Sequence, residues 1–169
     1  MEIEIRRLEA RDTVVMAAAF TAIGWDKPVA QYERYLREQE QGDRVVLVAF
    51  VENVFAGYLN VVWQPEYPPF RKSDIPEIQD FNVLPQFRRQ GIGTRLMESA
   101  ERLAAVRSSI VGIGVGMTAD YGAAQRLYVL RGYVPDGRGL VSGNKPLVYG
   151  EQVTVNDGLV LHFTKRLAD

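Results

Sequence analysis

Apolar and polar residues alternate from the first position, Met1-Glu2-Ile3-Glu4-Ile5-Arg6, which predicts a strand over 2–8 rather than a signal peptide. Helical spacing follows over 12–22 and 28–40. Pro28 suits a first helical turn, and Gly42-Asp43 ends the second helix. Val45–Val51 and Ala56–Trp63 read as strands on either side of Glu52-Asn53, a hairpin signal. Residues 64–75 carry three prolines with Tyr67 and Phe70 and read as a loop, and 77–84 read as a strand. From Thr94 the helical period is clear, with Leu96, Met97, Ala100, Leu103 and Ala104 on one stripe. Ile110–Val115 is a strand of the buried type. Asp120 suits a helix cap, Ala124, Leu127 and Tyr128 share a face, and Gly132 suits the C-cap. Tyr133-Val134 opens another strand, Gly137–Gly143 reads as loop, and Leu159–Lys165 is a terminal strand. This order predicts an α/β (α+β) fold with one mixed sheet of about six to seven strands, helices on both faces, and a single domain over 1–169.

Composition narrows the function classes. Hydrophobic residues make up 47% and charged residues 24%, the balance of a globular chain. A net charge of −1 gives no basic field for nucleic acid. The absence of cysteine removes disulfides, thiolate metal sites and a cysteine nucleophile, and fits a cytoplasmic setting. The one histidine, His162, sits in an apolar run, which argues against a Ser-His-Asp triad or a multi-histidine metal site. No run approaches the ~20 apolar residues of a membrane span. The expectation is therefore no metal, no nucleic acid and no membrane.

The chemistry concentrates in Gln79–Thr94. A short apolar run ends at Pro85. Arg88, Arg89, Gly91 and Gly93 follow, and then an amphipathic helix begins. Backbone N–H groups, positive charge and a helix N-terminus coincide there, which makes an anion site suited to phosphate. The nucleotide P-loop spacing is absent. The dinucleotide spacing fails because Gly91-Ile92-Gly93-Thr94-Arg95-Leu96 lacks the third glycine. A second run, Gly112-Ile113-Gly114-Val115-Gly116-Met117, fails it too and marks a strand that another group approaches closely.

Arg88-Arg89-Gln90-Gly91-Ile92-Gly93 resembles the Arg/Gln-x-x-Gly-x-Gly/Ala coenzyme A loop of the GNAT superfamily, the GCN5-related N-acetyltransferases. Val83-Leu84-Pro85-Gln86-Phe87-Arg88 resembles the strand that leads into that loop. Ala124-Gln125-Arg126-Leu127-Tyr128-Val129-Leu130-Arg131-Gly132-Tyr133 resembles the family's second motif. The resemblance spans essentially the whole chain and is specific over 76–134.

The resemblance implies a GNAT-like fold with a splay at the strand ending near Val83, and acetyl-CoA as co-substrate. Asn82 and Val83 would hold the pantetheine arm, with the Val83 N–H as oxyanion donor. Arg88, Arg89, Gln90, Gly91, Ile92, Gly93 and Thr94 would hold the pyrophosphate, and Tyr121 and Ala124 would line the cofactor wall. Tyr128 takes the general-acid position. Glu77 takes the position where some members place a catalytic glutamate, with Asp80 or a water chain as alternatives. Counting by twos puts Glu77, Gln79, Phe81 and Val83 on one face and Asp80 on the other. Many members carry Asn where this chain has Tyr121.

The implied reaction is direct acetyl transfer to the amine of a small molecule or peptide in a ternary complex, and the resemblance allows a homodimer. A non-catalytic acyl-CoA-binding module on the same fold is the alternative. Trp25, Tyr32, Tyr35, Trp63, Tyr67, Phe70 and Tyr149 fall in the segments that would form the acceptor site.

Overall fold

The computed structural model describes residues 1–168. In chain order its elements are β1 (Ile3–Arg7), α1 (Asp12–Ala22), α2 (Val29–Gln41), β2 (Arg44–Val51), β3 (Val54–Val62), α3 (Pro68–Lys72), β4 (Glu77–Val83), α4 (Ile92–Ala105), β5 (Ile110–Gly116), α5 (Gly122–Leu130), β6 (Val134–Ser142), β7 (Lys145–Pro146) and β8 (Leu159–Arg166). The fold is mixed α/β, as expected. The described residues hold eight strands, and the addition to the expected six to seven is the two-residue β7. Two segments expected as loop are ordered. Pro68 starts the short helix α3, because proline fits a first turn whose N–H has no partner. Gly137–Gly143 falls largely within β6, whose register shifts between Pro135 and Leu140 as Gly137 and Gly139 take positive φ.

The chain divides into two compact units, Met1–Trp63 with Ile78–Leu103, and Gln64–Glu77 with Ala104 onward. In the first unit the strand order is β1-β2-β3-β4. The β2–β3 hairpin turns through Glu52 (φ 46) and Asn53 (φ 65). Two left-handed residues match the twist of antiparallel strands, so this turn fixes the register. Met16, Phe20, Tyr32 and Tyr35 of α1 and α2 are buried together with Val46, Val48, Phe55 and Tyr58, each full apolar burial contributing about 1.5–3 kcal/mol. The other face of β4 meets α4, where Phe81 and Val83 reach Gly93. Helices therefore cover both faces in this unit.

In the second unit the order is β5-β8-β6-β7, with β5 and β8 antiparallel from Ile110↔Arg166 to Gly116↔Val160. The helix α5 ends in a Schellman motif. The Tyr133 N–H donates to the Tyr128 carbonyl and the Gly132 N–H to the Val129 carbonyl, with Gly132 at φ 89. This closure fixes the last turn, the one that carries Tyr128. Asp120 does not cap α5. It lies in the 3-10 turn Ala119–Tyr121 and accepts a hydrogen bond from the Thr118 hydroxyl.

Candidate active site

In the first unit, β4 leads through a 3-10 turn at Pro85–Phe87 into the loop that opens α4. The Gly91 carbonyl accepts the Arg95 N–H at 3.0 Å, so helical bonding begins at Gly91 and the N–H groups just beyond it lack intrahelical partners. Arg89 (φ 61) and Gly91 (φ 81) both take left-handed conformations, which turns the loop sharply before the helix. The two motif glycines serve different purposes. A Cβ at Gly91 would meet nothing within 4 Å, so its demand is conformational. A Cβ at Gly93 would come within 3.1 Å of the Phe81 ring, so its demand is close approach of β4.

Around that turn, Ile92 is buried at 1% exposure and anchors α4 in the core, leaving its backbone as the part that can meet a ligand. Arg88 Nε donates to the Val83 carbonyl at 3.0 Å, and its guanidinium lies 5.9 Å from the Trp25 ring centroid. Arg88 thereby ties the loop to the end of β4. Gln90 donates to the Gln86 carbonyl at 3.0 Å. Arg89 and Thr94 are exposed. The head of α4 thus brings an electropositive helix N-terminus and two arginines to the Val83 end of β4.

Beside it, Asp80 occupies a left-handed position in β4 (φ 48). A left-handed residue interrupts strand alternation, so counting faces by twos does not carry from Glu77 through to Val83. The Asp80 carboxylate collects donors: Lys27 Nζ at 2.9 Å, Tyr35 at 3.0 Å, Gln31 at 3.3 Å, Asn82 Nδ2 at 2.9 Å, and the Tyr58 hydroxyl. Burial first, and then the Asp80 charge, push the Tyr35 hydroxyl up to about 12, and the Tyr58 hydroxyl rises further for the same reasons. Both phenols remain neutral donors to Asp80. The Asn82 side chain belongs to this cluster as well.

Sequence reasoning missed Gly57 on β3. A Cβ there would lie 2.5 Å from the Asn82 carbonyl oxygen and 3.0 Å from the Val83 Cα. Glycine lets the backbone that leads into the loop pass close to β3. Its signal was a lone glycine inside a strand pattern.

In the second unit, Tyr128 is buried at 4% exposure, its ring 6.0 Å from that of Tyr133. Burial first, and then the Tyr121 phenol, raise the Tyr128 hydroxyl above its ordinary range, so it holds its proton well into alkaline conditions. Ala124 is half-buried on the same helix. The Tyr121 ring lies against Gly116, where a Cβ would come within 2.5 Å of it, and its hydroxyl donates to Asp157 at 2.8 Å. Gln125 Nε2 donates to the Gly116 carbonyl at 2.9 Å. The glycine-rich run of β5 faces close neighbours: Cβ atoms at Gly112 and Gly116 would meet the Phe70 and Tyr121 rings, and one at Gly114 would come within 2.8 Å of Val160 and 3.2 Å of His162. Glu77 is buried at 6% exposure, with Oε1 3.6 Å from His162 Nε2. No group of three or more His, Cys, Asp or Glu residues able to hold a metal ion occurs among the described residues, and no helix there is long and apolar enough to cross a membrane.

The model of the acetyltransferase (GNAT) family matches residues 7–133, and the chain belongs to that family. Among solved structures, an acetyltransferase of the GNAT family from Streptococcus pneumoniae is 19% identical with a TM-score of 0.68, over 98% of this chain and 99% of that one. A ribosomal-protein-alanine N-acetyltransferase from Brucella melitensis is 19% identical with a TM-score of 0.71, over 97% and 99%. YncA from Salmonella typhimurium, solved with its cofactor acetyl-CoA, is 16% identical with a TM-score of 0.68, over 100% and 96%. No curated protein matches the chain. Acetyl-CoA-dependent acetyl transfer is the general activity of the family.

Proposed function

We propose that this protein transfers the acetyl group of acetyl-CoA directly to the amine of a small molecule or peptide. The observation that carries this reading is the loop from Arg88 to Gly93, with Gly91 at φ 81 and Gly93 against Phe81, opening onto the free N–H groups of α4. Those N–H groups, with the helix dipole and the exposed arginines, would hold the coenzyme's pyrophosphate. The Asn82–Val83 backbone would hold the pantetheine arm, and the Val83 N–H would meet the developing oxyanion.

A protonated amine must lose its proton before it attacks. We assign that step to Glu77, directly or through water. Asp80 is less suited, because five side-chain donors already occupy its carboxylate. The freed amine adds to the thioester carbonyl, and collapse of the tetrahedral intermediate breaks the C–S bond. Tyr128, kept protonated by burial, would give its proton to the departing thiolate and be restored by the second proton that the product nitrogen sheds. No acetyl-enzyme intermediate is required.

The test is thiol release from acetyl-CoA across a panel of primary amines, together with the intact mass of the protein after exposure to acetyl-CoA alone. Turnover with at least one amine and no acetylated protein is expected. Tight coenzyme A binding without turnover on any amine would favour a non-catalytic acyl-CoA-binding module.

A further inference from the structure

The chain's one histidine has no task in the proposed acetyl transfer. His162 lies on β8 and is buried at 3% exposure. Its ring is stacked on Tyr67, with centroids 3.6 Å apart and planes 3° from parallel, and Phe70 meets it edge-on at 5.4 Å. On the neighbouring strand, a Cβ at Gly114 would come within 3.2 Å of Nε2. Tyr67 and Phe70 thus fix the plane of the imidazole, and the Gly114 backbone leaves room for its Nε2 edge. In that orientation Nε2 lies 3.6 Å from the buried Glu77 carboxylate. Nδ1 is buried and has no hydrogen-bond partner among the described residues. Leaving a ring nitrogen buried and unpaired is costly, and a phenyl ring would fill the same slot without that cost. What imidazole adds is an N–H that can be aimed at a carboxylate.

We propose that His162 is a positioning residue for Glu77, its Nε2 edge holding the carboxylate in the orientation that takes the proton of the acceptor's ammonium group. The inference rests on the acetyl-transfer reading with Glu77 as base. The first proton moves from the ammonium to Glu77, the amine lone pair forms the C–N bond, the C–S bond breaks, the thiolate takes the Tyr128 proton, and the second proton shed by the product nitrogen restores Tyr128 while Glu77 releases its proton to solvent. Among the groups facing His162, Tyr67 stays neutral: burial, and then the Asp136 carboxylate to which it donates at 2.7 Å, raise its hydroxyl. Phe70 and Gly114 add no charge, so Glu77 is the charge that meets Nε2. The ring proton therefore belongs on the nitrogen with an acceptor in front of it.

A single histidine makes the test direct. In protein labelled with 15N-histidine, the neutral ring should carry its proton on Nε2, and Glu77→Gln should perturb the Nε2 signal. A proton resident on Nδ1 would overturn the proposal. The second arm is steady-state kinetics with the best amine of the panel. His162→Phe should lower kcat about tenfold with the acetyl-CoA KM unchanged. His162→Gln, which keeps an N–H donor, should recover most of that loss. An undiminished kcat in folded His162→Phe would overturn the proposal while leaving acetyl transfer intact. A wild type inert toward every amine would instead overturn the acetyl-transfer reading and this role with it.

Discussion

Tyr128 and Gly57 show how single residues set this site. Burial keeps the Tyr128 phenol protonated, so its proton donation should survive alkaline pH, and kcat should show no loss attributable to it up to about pH 10, the ordinary tyrosine value. Tyr128→Phe should lower kcat about 100-fold with little change in the acetyl-CoA KM, measured by thiol release. Gly57→Ala would drive a Cβ into the Asn82 carbonyl, at 2.5 Å in the present geometry. Loss of about 1–3 kcal/mol is expected in denaturant unfolding, together with weaker acetyl-CoA binding, because the strained atoms are the backbone of β4 itself. The motif residues were legible in the sequence because backbone demands at Gly91 and Gly93 leave a fixed spacing. Gly57 was not, since its requirement comes from a strand more than twenty positions away, and neither was the His162–Glu77 proximity.

At the level of elements, two polar clusters hold helices to strands. Asp80 joins β4 to α2 through Gln31 and Tyr35, to the segment before α2 through Lys27, and to β3 through Tyr58. Asp80→Ala would strand Lys27 and two buried phenols, and about 3 kcal/mol of stability should be lost in urea unfolding. Arg6 of β1 grips Asp12 at the start of α1 through two bonds, at 2.7 and 2.9 Å, and the Glu9 N–H adds a third at 2.8 Å. Burial by itself would raise the Asp12 carboxyl, but these donors outweigh it and the net shift is downward. A lowered carboxyl stabilises the fold above its unfolded value of about 3.9 and loses that contribution as pH falls through its folded value. Asp12→Asn should therefore lower Tm at neutral pH, with the gap to wild type narrowing below about pH 4. The helices α1 and α2 and the hairpin were readable from periodicity and turn chemistry, with α1 at its expected bounds. The short α3 and the shifted register of β6 were not, because Pro68, Gly137 and Gly139 read as breakers where neighbouring chain in fact orders them.

For the whole molecule, the family and the mixed α/β fold were legible because two motifs with backbone requirements survive in order and spacing, even where structural relatives are only 16–19% identical. The acceptor is written in no such motif. Tyr32 and Phe70, both expected near an acceptor, are fully buried, and Tyr149 is fully exposed, so aromatic content alone does not define that site. The Arg88–Thr94 loop at the head of α4 is the proposed seat of the coenzyme A pyrophosphate. Calorimetric titration with coenzyme A and with pantetheine, which lacks the pyrophosphate, tests it most directly in wild type and Gly91→Glu. Wild type should bind coenzyme A at least tenfold more tightly than pantetheine, a gap of about 1.4 kcal/mol, and Gly91→Glu should abolish this preference. Equal affinity for the two ligands in wild type, or an unchanged preference in folded Gly91→Glu, would contradict it.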